Sequence, residues 1–122
     1  MLVRELVGVY DARGGLLGEA AYVWGRLHGT RHCALCDITH SSVRRKPAWD
    51  GLVERLGLRF VLLHLNELPG DVGAVVRETG APVVLARTDH EVFALLSAHQ
   101  LDQASGSIDL FERALRDRLS RL

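Results

Sequence analysis

Residues 58–65 form an almost unbroken apolar stretch, in which only Arg59 and His64 interrupt Leu58, Phe60, Val61, Leu62, Leu63 and Leu65. The run has the length of a strand. Apolar residues at consecutive rather than alternate positions call for burial on both faces, which predicts an inner strand of a sheet. The pieces around it alternate in kind. Upstream, Pro47 suits the first turn of a helix whose buried stripe is Ala48, Trp49, Leu52, Val53 and Leu56, with Gly57 as its stop. Downstream, Asp71 is placed to cap a helix that runs to Thr79 and closes at Gly80. Two short strand-like runs, 83–86 and 92–96, flank the polar turn Arg87-Thr88-Asp89-His90-Glu91 and read as a hairpin. A loop over 98–106 leads to a last helix. Ser107 caps it, Asp109 sits at its positive end, and Arg116, Arg118 and Arg121 sit at its negative end. Leu110, Phe111, Ala114, Leu115 and Leu119 make its apolar face.

The N-terminal part is less uniform. Residues 2–10 read as a strand that ends in the polar turn 11–15. Residues 16–27 fit a helical face through Leu16, Leu17, Ala20, Val23, Trp24 and Leu27, although Gly18 and Gly25 also allow a hairpin strand. Strands separated by helices need parallel crossovers, and the closing hairpin adds an antiparallel edge. The expectation is a single α/β domain over 1–122, a central mixed sheet with helices on both faces. With 48% hydrophobic and 25% charged residues, the 122-residue chain has the balance of a folded globular protein.

Composition also narrows function. Fifteen basic and 15 acidic residues cancel, so nucleic-acid binding driven by a basic excess is not expected. No apolar run approaches the ~18 residues needed to cross a bilayer. Met1-Leu2-Val3-Arg4-Glu5 lacks the basic-then-apolar order of a secretion signal, so the expected address is the cytoplasm.

The sharpest chemistry lies in His32-Cys33-Ala34-Leu35-Cys36-Asp37-Ile38-Thr39-His40, which holds both cysteines of the chain. A pair three residues apart, without an export signal, points to redox or metal chemistry rather than a disulfide framework. In the redox reading, Cys33 at a helix start has its thiolate favoured and acts as nucleophile. Cys36, one turn on and less exposed, resolves the mixed disulfide. Arg31 would favour the thiolate, Asp37 would oppose it or relay a proton, and His40 would serve as acid or base. In the metal reading, Cys33, Cys36 and His40 at i, i+3 and i+7 share one face of a continuous helix. They would bind zinc or iron with His64 as a fourth ligand, His32 and His28 being further candidates. A third reading makes both cysteines inert core residues, in a module that only binds a partner.

Other residues are secondary. His64 and Glu67 follow a buried strand, and Asp11 follows the first one, at the strand ends where α/β sheets bind ligands. Arg44-Arg45-Lys46 is either a small anion site or a solvated connection. Trp24 and Trp49 lie on apolar faces and are expected in the core.

The order of elements resembles the thioredoxin and glutaredoxin superfamily. Three features carry the likeness: the Cys33-Ala34-Leu35-Cys36 pair leading into a helix, Pro82 directly before a strand, and the 83–96 hairpin followed by a C-terminal helix. The resemblance implies a thioredoxin-like three-layer sandwich and a thiol–disulfide oxidoreductase without a cofactor. It also implies a cis Pro82 facing the dithiol; with His40, read from its place one turn beyond Cys36, the expected site is Cys33, Cys36, His40 and Pro82. The implied partner is a thiol or disulfide, on a protein or a small thiol, with neither nucleic acid nor membrane involved. The segment 11–29 and the length of 36–57 depart from that pattern. The block at 32–40 also looks like a family of small uncharacterised bacterial proteins, some labelled GTPases. No Gly-x-x-x-x-Gly-Lys-Ser/Thr loop supports that label here, because Gly25-Arg26-Leu27-His28-Gly29-Thr30-Arg31 has the wrong spacing and no lysine.

Overall fold

A computed structural model describes residues 2–11, 33–41 and 44–122, apart from the side chains of 41, 44 and 45. The expected helix or hairpin over 16–27, with Trp24, and the candidates His28, Arg31 and His32 lie outside the described residues. In chain order the elements are β1 (Glu5–Val9), α1 (Ala34–Thr39), β2 (His40–Ser41), β3 (Arg44–Arg45), α2 (Pro47–Leu56) and β4 (Arg59–Leu63). They continue with α3 (Gly70–Thr79), β5 (Val83–Arg87), β6 (Val92–Leu96), α4 (Ala98–Gln103) and α5 (Ile108–Ser120). None of the described helices is long and apolar enough to cross a membrane.

Four strands make a mixed sheet in the order β4-β1-β5-β6. Strands β1 and β4 are parallel, in the register Leu6↔Phe60 and Val9↔Leu63. Strand β5 runs antiparallel to β1, with Val9 opposite Val83, and β6 antiparallel to β5. A parallel pair needs a crossover, and α1 and α2 lie within it. The expected hairpin is therefore present, and so is the mixed sheet.

Side chains alternate across a strand, and here they feed two separate cores. Leu6, Val84 and Ala86 join Leu35, Ile38, Trp49, Leu52, Phe111 and Leu115 on one face of the sheet. Val7, Val9, Val83 and Leu85 join Val72 of α3 in the second core. A register shift between Val84 and Leu85 leaves Leu95 without an opposite residue. This bulge breaks the alternation, so Leu95 and Leu96 both enter the first core. Trp49, Phe60 and Phe111 meet there with ring centroids 4.9–6.4 Å apart. Trp49 is a core residue, as its place on an apolar face implies.

Four expectations are corrected. Among the described residues β4 is an edge strand, not an inner one, and it is half-buried along most of its length. Its apolar run arises because Phe60 and Leu62 pack on one core while Leu63 packs on the other; covering two faces does not require a neighbour on both edges. Helix α3 starts at Gly70 with Pro69 as N-cap, and Asp71, inside the first turn, accepts from the next amide, Val72 N, at 2.8 Å and from the Arg87 guanidinium rather than capping the helix. The expected loop 98–106 holds α4, started by a capping box between Ser97 and Gln100. Leu110 faces solvent, whereas Phe111 and Leu115 are buried.

The other punctuation acts as its chemistry predicts. Pro47 opens α2, and Gly57 ends it at φ 66°, a left-handed conformation that glycine adopts without a Cβ clash. The Ser107 hydroxyl accepts from Leu110 N at the start of α5. The Ala81–Pro82 peptide is cis.

Candidate functional site

Strand β1 delivers Tyr10 and Asp11 to the end of the sheet, and α1 brings the cysteines to the same place. Gly8 permits that approach. A Cβ at this position would lie 2.9 Å from Leu62 Cδ2, 3.1 Å from Leu35 Cδ2 and 3.2 Å from Phe60 Cε1. Only a residue without a side chain lets Leu35 pack this low over the sheet.

Cys33 is the N-cap of α1, with φ −137° and ψ 112°. Its Sγ accepts the amide of Cys36 at 3.4 Å, and its carbonyl accepts the amide of Asp37 at 3.0 Å. The hydrogen bond from the Cys36 thiol is the largest influence on Cys33 and lowers its pKa. Burial opposes it, while the amides of Asp11 and Cys36 reinforce it, and the result is lowered from 9.0 to about 7. The carboxylate that opposes the thiolate is that of Asp11, not Asp37 as expected. Both cysteines are free thiols. Cys33 is 1% exposed and Cys36 7%, which reverses the expected order of exposure. The inversion follows from capping: the N-cap side chain folds back over the first turn to reach the amide of Cys36.

His40 does not continue the helix. It is the C-cap in extended conformation, φ −128° and ψ 151°, and begins β2. The shared helix face expected for Cys33, Cys36 and His40 is therefore absent, because α1 ends at Thr39. Instead Nδ1 of His40 lies 2.6 Å from the Thr39 hydroxyl. That hydroxyl also meets the Tyr10 hydroxyl at 2.9 Å and donates to the Cys36 carbonyl at 3.4 Å. The Tyr10 ring touches both histidines, His40 at 6.0 Å and His64 at 5.2 Å between centroids.

His64 and Glu67 follow β4 and bind each other. One Glu67 oxygen accepts from the His64 amide at 2.7 Å and contacts His64 Nδ1 at 2.8 Å. The bond from that amide is the main reason the Glu67 carboxyl is held below its usual range. Pro82 precedes Val83, which pairs with Val9, so Pro82 stands at the end of the sheet that carries Tyr10 and Asp11. In the basic run, Arg44 and Arg45 form β3, and Lys46 Nζ donates to the carbonyls of Asp37 at 2.7 Å and Gly106 at 2.8 Å. Lys46 thus ties α1 to the α4–α5 turn. Among the described residues, no three His, Cys, Asp or Glu side chains are grouped to hold a metal ion.

Comparison with protein-family models, with curated proteins and with solved structures finds no match. The chemistry must be argued from the residues themselves. Two that matter here were not singled out in the sequence, Tyr10 and Thr39. The rule that marks strand ends as ligand-binding positions picks Asp11 and His64 and applies equally to Tyr10. Thr39 carries no pattern of its own; its importance comes from complete burial beside other polar groups.

Proposed function

We propose that this chain is a thioredoxin-like, thiol-dependent redox protein in which Cys33 and Cys36 cycle between dithiol and disulfide. The sheet order, with one parallel pair followed by an antiparallel hairpin, supports the thioredoxin-like arrangement, as do cores on both faces. The observation that carries the functional reading is the sulfur of Cys33, which caps α1 by accepting the backbone amide of Cys36 at 3.4 Å, while the Cys36 thiol holds its pKa below the ordinary thiol value. Those bonds favour the thiolate, the nucleophilic form of cysteine.

The chemistry follows from the pair. The Cys33 thiolate attacks one sulfur of an oxidised partner, and that partner's second sulfur leaves as a thiolate. Cys36 then attacks the Cys33 sulfur and releases the first sulfur as a thiol. The protein holds a Cys33–Cys36 disulfide, and two electrons have passed to the partner. An external thiol returns the pair to the dithiol. Thr39 and Tyr10 hold the carbonyl of Cys36 and the ring of His40, and so keep the acid–base residue beside the helix. A zinc or iron site on Cys33, Cys36 and His40, completed by His64 or His32, is the rival, and among the described residues no group of three such side chains supports it.

Alkylation of each cysteine by iodoacetamide, followed by peptide mapping across pH, tests the reading. The rate at Cys33 is expected to rise with a midpoint near 7. Cys36→Ala is expected to move that midpoint upward, since it removes the largest stabilising bond. A midpoint at or above the free-thiol value of ~8.5 overturns the proposal.

A further inference from the structure

The burial of the two sulfurs carries a statement about what they react with. Cys33 is 1% exposed and Cys36 7%. Both belong to the larger hydrophobic core, together with Tyr10, Leu35 and Ile38. Attack on a disulfide needs three sulfurs nearly in line, and the central and leaving ones each carry a substituent. A thiol without open surface admits such a partner only after large local opening, whose free energy is added to the barrier. An oxidant with two heavy atoms, little larger than water, needs only a small fluctuation.

We propose that the Cys33–Cys36 pair reduces small hydroperoxides, hydrogen peroxide first among them, in preference to bulky or protein disulfides. The proposal rests on the dithiol reading above and narrows its substrate class. The step balances. The Cys33 thiolate attacks one peroxide oxygen, the O–O bond breaks, and a sulfenic acid forms. The leaving hydroxide takes up the proton that Cys33 released on ionising and becomes water. The Cys36 thiol then attacks the sulfenic sulfur, an S–S bond forms, the S–O bond breaks, and a second water leaves. Two sulfurs are oxidised to one disulfide, and one peroxide is reduced to two waters. A small thiol reductant regenerates the pair. Its sulfur attacks Cys36, the more exposed of the two, and Cys33 leaves as a thiolate; this step needs the local opening that the peroxide step does not.

The fold supports this order of events. Cys36 lies in the first turn of the helix that the Cys33 sulfur caps, with its amide 3.4 Å from that sulfur, so the resolving group is in place before the oxidant arrives. The sulfenic acid is therefore short-lived in the native protein and is expected to accumulate only without Cys36.

The test measures rate constants for loss of free thiol in the reduced 122-residue chain, with hydrogen peroxide and with oxidised glutathione, each divided by the value for free cysteine at the same pH. The normalised peroxide rate is expected to exceed the normalised disulfide rate by about tenfold or more, and unfolding in urea is expected to erase the difference. Cys36→Ser, whose hydroxyl keeps a donor to Cys33, is expected to yield a sulfenic acid that a cyclic 1,3-dione traps on Cys33. Two normalised rates that are equal, or a faster disulfide reaction, overturn the substrate assignment and leave the dithiol reading standing. A protein slower than free cysteine with both oxidants, with no midpoint near 7 on alkylation, removes the dithiol reading and this inference with it.

Discussion

The backbone amide of Cys36 donates to the sulfur of Cys33 at 3.4 Å, so one cysteine caps the helix that carries the other. A cap is normally an oxygen of Ser, Thr, Asp or Asn. With sulfur in that place, the bond that starts α1 also stabilises the thiolate. Helix formation and thiol activation therefore share an interaction, which adds to the larger effect of the Cys36 thiol, and oxidation to the disulfide must alter both.

This coupling makes stability depend on pH. The Cys33 pKa is lowered from 9.0 to about 7 on folding. A group whose pKa is depressed contributes stability that is present above its unfolded value and is lost as pH falls through its folded value. The reduced protein is expected to gain stability over Cys33→Ser between pH 7 and 9, by roughly 3 kcal/mol at most. Urea unfolding of both proteins across that range, in the presence of a reductant, checks the slope. Parallel curves would contradict it.

Gly8 sets the height of the cysteine helix above the sheet. Gly8→Ala pushes a Cβ to within 2.9 Å of Leu62 and 3.1 Å of Leu35, and Leu35 is fully buried with no room to retreat. The expected cost is about 1–2 kcal/mol by denaturant titration. Because Leu35 sits between the two cysteines, the alkylation midpoint of Cys33 is expected to move as well. An unchanged midpoint in a destabilised Gly8→Ala protein would separate the packing of the helix from the state of the thiol.

Thr39 is the polar centre of the site. Thr39→Val keeps the shape and removes the hydroxyl that meets Tyr10 at 2.9 Å and His40 at 2.6 Å. Loss of buried bonds of this kind costs about 1–3 kcal/mol. Thr39→Ser retains the hydroxyl and is expected to recover most of the bonding, so the melting temperatures should fall in the order wild type, Ser, Val. Equal stabilities for Ser and Val would show that the methyl group and not the hydroxyl matters.

Helix α5 allows a contrast between adjacent residues. Phe111 is fully buried against Trp49 at 5.6 Å, whereas Leu110 is 45% exposed. Phe111→Ala is expected to cost about 3–5 kcal/mol and to alter Trp49 fluorescence. Leu110→Ala is expected to stay within about 0.5 kcal/mol of wild type. A large loss from Leu110→Ala would mean that its side chain is covered in solution.

Much of the scaffold was legible because local chemistry and tertiary packing agree. Pro47, Gly57 and Ser107 punctuate helices as their backbone chemistry dictates, and the apolar runs around 87–91 pair as a hairpin. The inner position expected for β4 failed because an apolar run reports covered faces and says nothing of edges. The Ser97-Gln100 capping box was present in the sequence, but the polar residues around it suggested a loop. The cysteine pair was legible as a site. Its geometry was not, since an i, i+3, i+7 argument assumes a continuous helix and α1 stops at Thr39. The network of Tyr10, Thr39 and His40 joins residues from three elements, and no local pattern marks such a junction.

The central claim is that Cys33 and Cys36 form a reversible redox couple, and an equilibrium titration tests it most directly. The protein is brought to equilibrium in buffers of reduced and oxidised dithiothreitol, quenched with acid, and weighed after thiol alkylation. The account predicts a single two-electron transition between a form with two free thiols and one with none, lighter by two hydrogens before labelling. Cys33→Ser and Cys36→Ser should each abolish it, and metal analysis of the protein as purified should find no stoichiometric zinc or iron. A pair that keeps both thiols in fully oxidised buffer, or that is held by a metal until a chelator is added, would contradict the account.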